Sequence, residues 1–151
     1  MLSCFVLIVV CLIGYYCAAV DIIYMRRKTT TRFFYMGFFR LEIATKKEYD
    51  AVSGTVLNQI QQDLHVNSIK NVFYAEFFEL HLNEQKEKIM ELAGEVFADP
   101  ITQTFELDSR TANEFDMTAE VRLHNGMTDN VALMAAKATA DYLQRKLADD
   151  E

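Results

Sequence analysis

Between Phe38 and Leu107 the spacing of apolar residues switches repeatedly between two and three-to-four, and the order of those switches leaves few folds open. Phe38–Ala44 alternates. Phe39, Leu41 and Ile43 point one way, Arg40 and Glu42 the other, as in a half-buried strand. Over residues 48–64 the apolar set Tyr49, Val52, Val56, Ile60 and Leu64 recurs at three and four, which predicts an amphipathic helix. Gly54 inside it marks a close contact or a loss of about 1 kcal/mol against Ala. Asn67-Ser68 is a turn. Residues 69–82 exceed a typical strand of roughly 5–6 residues, so they are split near Glu76 into a hairpin, IKNVFYA and FELHL. Asn83 is the expected N-cap of a helix reaching Ala98, with Ile89, Leu92, Ala93 and Val96 inward and an i,i+4 pair of Glu84 with Lys88. Asp99-Pro100 stops it, and residues 101–107 alternate again.

The order is therefore strand, helix, strand, strand, helix, strand. Two helices on one face of a four-stranded antiparallel sheet bury both apolar stripes, so the expected class is α+β with a ferredoxin-like βαββαβ unit over residues 36–107. Residues 108–114 form a polar linker. The pattern then restarts over 115–151. Phe115, Met117, Ala119, Val121 and Leu123 alternate with polar residues, and Thr128 or Asp129 caps a helix whose expected inner face carries Val131, Met134, Ala138 and Leu143. One strand and one helix cannot close a core, so this start of a second, similar unit must pack on the first unit or on a partner.

Residues 1–35 are of another kind. No Lys, Arg, Asp or Glu occurs in the first 20, and all three cysteines lie there. The run from Cys4 to Val20, extended to Tyr24, approaches the roughly 20 residues of a membrane-spanning helix. Arg26-Arg27-Lys28 behind it would leave the body in the cytoplasm. Three readings compete: a signal-anchor, a buried apolar helix, and translation that naturally starts at Met25 or Met36. It makes a poor secretory signal, because no basic residue precedes it.

Four of the 15 basic residues and only one of the 22 acidic ones precede Met36, so the body carries ten more acids than bases. Such a body repels phosphate backbones, which excludes nucleic-acid binding. The five glycines form no phosphate loop. His65, His81 and His124 are not at metal-ligand spacing, and surface positions account for them. Glu84, Glu87, Glu91 and Glu95 follow helical spacing. They read as a solvated stripe able to dock a basic partner rather than as a magnesium site. Met117, Met127 and Met134 are expected in the core. No catalytic, cofactor-binding or metal residue stands out.

The stretch FFRLEIATKKEYDAVSGTVLNQIQQDL, a strand pair ending FELHL, and a helix closing on VFADPITQTFEL together resemble the PurS-like N-terminal region of phosphoribosylformylglycinamidine synthase. Gly126-Met127-Thr128-Asp129 is similar to the loop where the fused form of that enzyme enters its second PurS-like repeat. The resemblance covers residues 38–147 and excludes the first 35. It implies a cytoplasmic ATP- and glutamine-dependent ligase of purine biosynthesis, with ATP and magnesium bound in later domains. This chain would be its non-catalytic assembly module, a fragment of a fused enzyme or a stand-alone subunit. The implied partners are the synthase and glutaminase domains or subunits, and a homo-oligomer is compatible. The alternative from a different class is a membrane-anchored ferredoxin-like interaction or sensor domain, which takes residues 4–24 as a genuine anchor.

Overall fold

The computed structural model describes residues 3–11, 37–112, 115–121 and 128–147. It is a mixed α+β structure built on an antiparallel sheet. The elements are β1 (Ser3–Cys11), β2 (Phe38–Thr45), α1 (Val52–Gln62), β3 (Asn71–His81), α2 (Lys86–Leu92), β4 (Gln103–Leu107), β5 (Met117–Val121) and α3 (Asn130–Leu143). The sheet order is β4-β2-β3-β1-β5.

The expected hairpin within residues 69–82 does not form. Asn71–His81 is one strand of 11 residues. No glycine or proline interrupts it, and it is paired on both sides: Ala75–His81 with β2 and Asn71–Glu79 with β1. The βαββαβ expectation therefore changes. No strand lies between α1 and β3, and the place beside β3 belongs to β1. The apolar N-terminal helix is corrected in the same way. Ser3–Cys11 is a strand, and no helix among the described residues is long and apolar enough to cross a membrane. The rest of the expected anchor, residues 12–24, lies outside the described residues.

The helices share one face of the sheet. Leu41, Ile43, Phe78, Leu80, Leu82 and Leu107 meet Ile89, Leu92 and Ala93 of the α2 region and Ala132 of α3. Burial of such a leucine contributes about 1.5–3 kcal/mol, so this layer dominates the stability. At its far end Val56, Leu57 and Ile60 of α1 pack on Ile69 and Val72. The inner face of α1 thus differs from the expected one: Tyr49, Val52 and Leu64 are exposed, while Ser53 is buried. Ser53 Oγ accepts the Tyr74 N–H at 2.9 Å, just past the end of the β2–β3 ladder. Gly54 has open space around it, so it makes no close contact.

α2 starts at Lys86 behind Gln85, with no side-chain cap, so Asn83 is not its N-cap. Its last turn widens into a π turn, Ala93–Phe97, closed by the Ala98 N–H on Ala93 O. Phe97 then meets Phe78 edge-on at 4.9 Å. Beyond Pro100 the chain enters β4. Asp99 accepts bonds from the Ile101 N–H and the Thr102 hydroxyl, which hold its carboxyl below its usual range.

β5 and α3 do pack on the preceding elements, β5 through β1 and α3 through the π turn and β1. Asp129 supplies the α3 cap, its Oδ1 accepting the Ala132 N–H at 2.8 Å. The expected inner face of α3 is corrected. Ala132 and Thr139 are buried, and Ala135, Ala136 and Tyr142 lean on the core, whereas Val131, Met134 and Ala138 are exposed. Small side chains let this helix approach the helix layer closely, which larger ones would prevent.

Candidate functional site

The face of the sheet away from the helices holds the densest polar cluster. Its origin is topological. β4 and β5 lie at opposite edges, so the chain between them must cross the sheet. Asp108 begins that strap with φ of +60°, a left-handed conformation that turns the chain off the edge. Its N–H donates to Arg40 O at 2.7 Å, and its Oδ1 accepts the Arg40 N–H at 3.1 Å. The described part of this segment, residues 108–112, is thus tied to β2 by backbone and side-chain bonds.

Glu42 anchors the crossing. The alternation in β2 places it on a polar, outward side, yet it is fully buried. The Thr111 N–H and hydroxyl both donate to Glu42 Oε1, at 2.9 and 2.7 Å. Glu42 Oε2 has no partner among the described residues. Ala112 and Phe115 cover Ala44, Ala75 and Phe77 beside it. Arg40 lies over the Phe77 ring at 3.9 Å and reaches Glu120 Oε1 at 2.9 Å. Arg110 donates to Thr118 Oγ1 at 3.2 Å, stands 3.8 Å from the same Glu120 oxygen, and lies over Phe115. Two guanidinium groups thus flank one carboxylate, and the remaining carboxyl is held by backbone and hydroxyl. The cluster neutralises its own charges and fastens the strap. Among the described residues it brings no histidine to a hydroxyl.

The residues weighed from the sequence are dispersed. His65 is exposed at φ of +56°, and His81 packs edge-on against Phe38. His124 and Met127 lie outside the described residues. No group of three or more metal-ligating side chains occurs among the described residues. The acidic stripe is partly engaged. Glu84 pairs with Arg145 at 3.1 Å, fixing the end of α3 to the approach to α2, and Glu91 pairs with Lys88 at 3.0 Å. That Glu91 contact, helped by Tyr142, raises the Lys88 pKa above its usual value. Glu87 and Glu95 stay exposed. Met117 packs on Ile69 and Val72 as expected, whereas Met134 does not enter the core.

What the sequence reading missed is the pairing of Arg40 and Glu42 with the strap. Arg110 and Thr111 in an otherwise short polar segment were its only trace. No family model, curated protein or solved structure matches the chain.

The second candidate is a surface. On α3 Val131, Leu133 and Met134 are 55%, 60% and 68% exposed, although smaller residues of the same helix face the core. Isolated exposed apolar residues are common; here Val131 and Met134, at i and i+3, are neighbours on the helix surface, with Leu133 on the adjoining side, and association would bury them. Near the other end of this helix a shallow, open depression is lined by Ala140, Asp141, Gln144, Arg145 and Lys146.

Proposed function

We propose that this chain is a non-catalytic assembly module. On the strength of its PurS-like residues, its partners are the synthase and glutaminase parts of a phosphoribosylformylglycinamidine synthase in the cytoplasm. The observation that carries the assembly role is the outward side of α3, where Val131, Leu133 and Met134 are exposed while alanines face the core. Their burial by a partner supplies binding free energy without any chemistry in this chain. The polar cluster supports the same reading, because its groups are engaged in holding the strap. The nearness to a ferredoxin-like unit is part of this proposal: β2, α1, β3, α2 and β4 keep its order, with β1 in place of its second strand. ATP and magnesium belong to the synthase part in this scheme. The membrane-anchored alternative needs residues 4–24 as a helix, whereas Ser3–Cys11 is an inner strand.

The test is reconstitution. Synthase and glutaminase subunits that lack their own PurS-like part are mixed with the full chain, and glutamine-dependent amidine formation is measured. The expected result is a stable complex and restored coupling, lost in Leu133→Lys/Met134→Lys with the fold unchanged by circular dichroism. A chain that neither co-sediments with these subunits nor changes their coupled rate overturns the reading.

A further inference from the structure

The outer edge of β4 is open among the described residues, and its hydrogen-bonding groups can be assigned. The Asp108 N–H donates to Arg40 O, and the Lys46 N–H donates to Thr102 O. With the β2–β4 register, this makes 40/108, 42/106, 44/104 and 46/102 the bonded pairs of the ladder. The backbone groups of Gln103, Phe105 and Leu107 therefore point to the free edge. One of these is used within the chain: the Gln103 N–H donates to Asp99 O at 2.8 Å. The Ser109 hydroxyl lies 3.5 Å from Leu107 O but gives its one proton to Glu106 Oε2 at 2.7 Å. The Phe105 N–H and C=O, the Leu107 N–H and C=O and the Gln103 C=O remain.

From this pattern we infer that β4 is a self-association edge whose occupant is β4 of a second copy, antiparallel about a two-fold axis at Phe105. In that register Phe105 exchanges both bonds with its symmetry mate. Each Leu107 N–H meets the partner copy's Gln103 C=O. Of the further pair this register sets opposite one another, Gln103 N–H and Leu107 C=O, the N–H is already held at home by Asp99 O. The side chains agree. Exposed Thr104 faces Glu106 of the other copy, so no acid opposes an acid. Shifting the axis to residue 106 would set Glu106 against itself. Shifting it to 104 would require the Gln103 N–H, which Asp99 holds. Continuing the sheet across the dimer also removes an exposed edge, the usual hazard of an unpaired strand. This interface is distinct from the α3 surface and does not depend on the proposed partners.

Sedimentation velocity of the full chain over a concentration series tests it, together with amide exchange at Phe105 and Leu107. The expected result is a monomer–dimer equilibrium with those two amides protected in the dimer. Thr104→Glu places a carboxylate opposite Glu106 twice per dimer and should weaken association about tenfold. Thr104→Lys should strengthen it, and Thr104→Glu/Glu106→Lys should restore it. Because 104 is exposed, circular dichroism should be unchanged. A chain that stays monomeric at the highest concentration reached, or a dimer indifferent to all three substitutions, overturns the inference.

Discussion

The two faces of one sheet are closed by different physics. On the helix face Leu41, Leu80, Leu82, Ile89 and Leu92 are fully buried, and the seal is apolar surface removed from water. On the strap face a crossing segment covers Ala44, Ala75 and Phe77, and directional contacts of Glu42, Arg40, Arg110 and Glu120 hold it in register. The non-directional face tolerates slippage among similar apolar groups. The strap face does not, because a buried acceptor that loses its donor costs more than the bond itself contributes in net terms.

Substitutions can break or sharpen this contrast. Phe77→Ala attacks both sides of it, removing a buried ring and the platform under Arg40. It should cost about 3–5 kcal/mol by chemical denaturation. Leu80→Ala, confined to the helix face, should cost about 2–5 kcal/mol and leave the exchange rates of the Arg110 and Thr111 amides unchanged relative to global unfolding. Thr111→Val removes the hydroxyl donor to Glu42 while keeping the shape. A loss of about 1–2 kcal/mol is expected, with faster local exchange of the strap. Equal stability of Thr111→Val and wild type would show that the hydroxyl bond to Glu42 adds nothing to the hold on the strap. Outside both faces, Gly54→Ala should stabilise by about 0.5–1 kcal/mol, because a Cβ there meets only solvent.

The smallest effect is electrostatic. The Asp99 carboxyl is held below its ordinary value by the Ile101 N–H, so the folded state prefers its ionised form. The linked stability is present above the unfolded carboxyl's pKa and is lost as pH falls through the lower folded one. An NMR titration of Asp99 should find its midpoint below the ordinary aspartate value of 3.8. Thr102→Ala should move it upward.

Much of the helix face was legible in the sequence, and little of the strap face. Phe39, Leu41 and Ile43 alternate, and Ile89, Leu92 and Ala93 follow helical spacing, so local period alone assigns them. Periodicity also gave β5, and of the two capping residues expected for α3, Thr128 or Asp129, the second is the cap. It failed where a distant segment decided the outcome. Glu42 reads as solvent-facing until the strap is known to cross it. Asn71–His81 reads as too long until strands flank it on both sides. The α3 face reads inverted because large apolar residues were assigned inward, when close helix approach demanded alanines. The residues left outside are what the proposed assembly role uses.

The strap also has a bearing on how the chain is made. Residues 108–112 and Phe115 follow β2, β3 and β4 in sequence, yet they cover what those strands have already built. On the ribosome, the part of the helix face covered by α1 and α2 can close once β4 has emerged, while the part under α3 waits for residues beyond the strap. Phe77, Ala44 and the Glu42 carboxyl must wait for the strap. For that interval the nascent chain presents a bare, partly apolar sheet surface, the kind of transient exposure that general chaperones recognise. Substitutions that loosen the strap should therefore lower the yield of folded protein during synthesis more than their cost to the finished molecule alone would suggest.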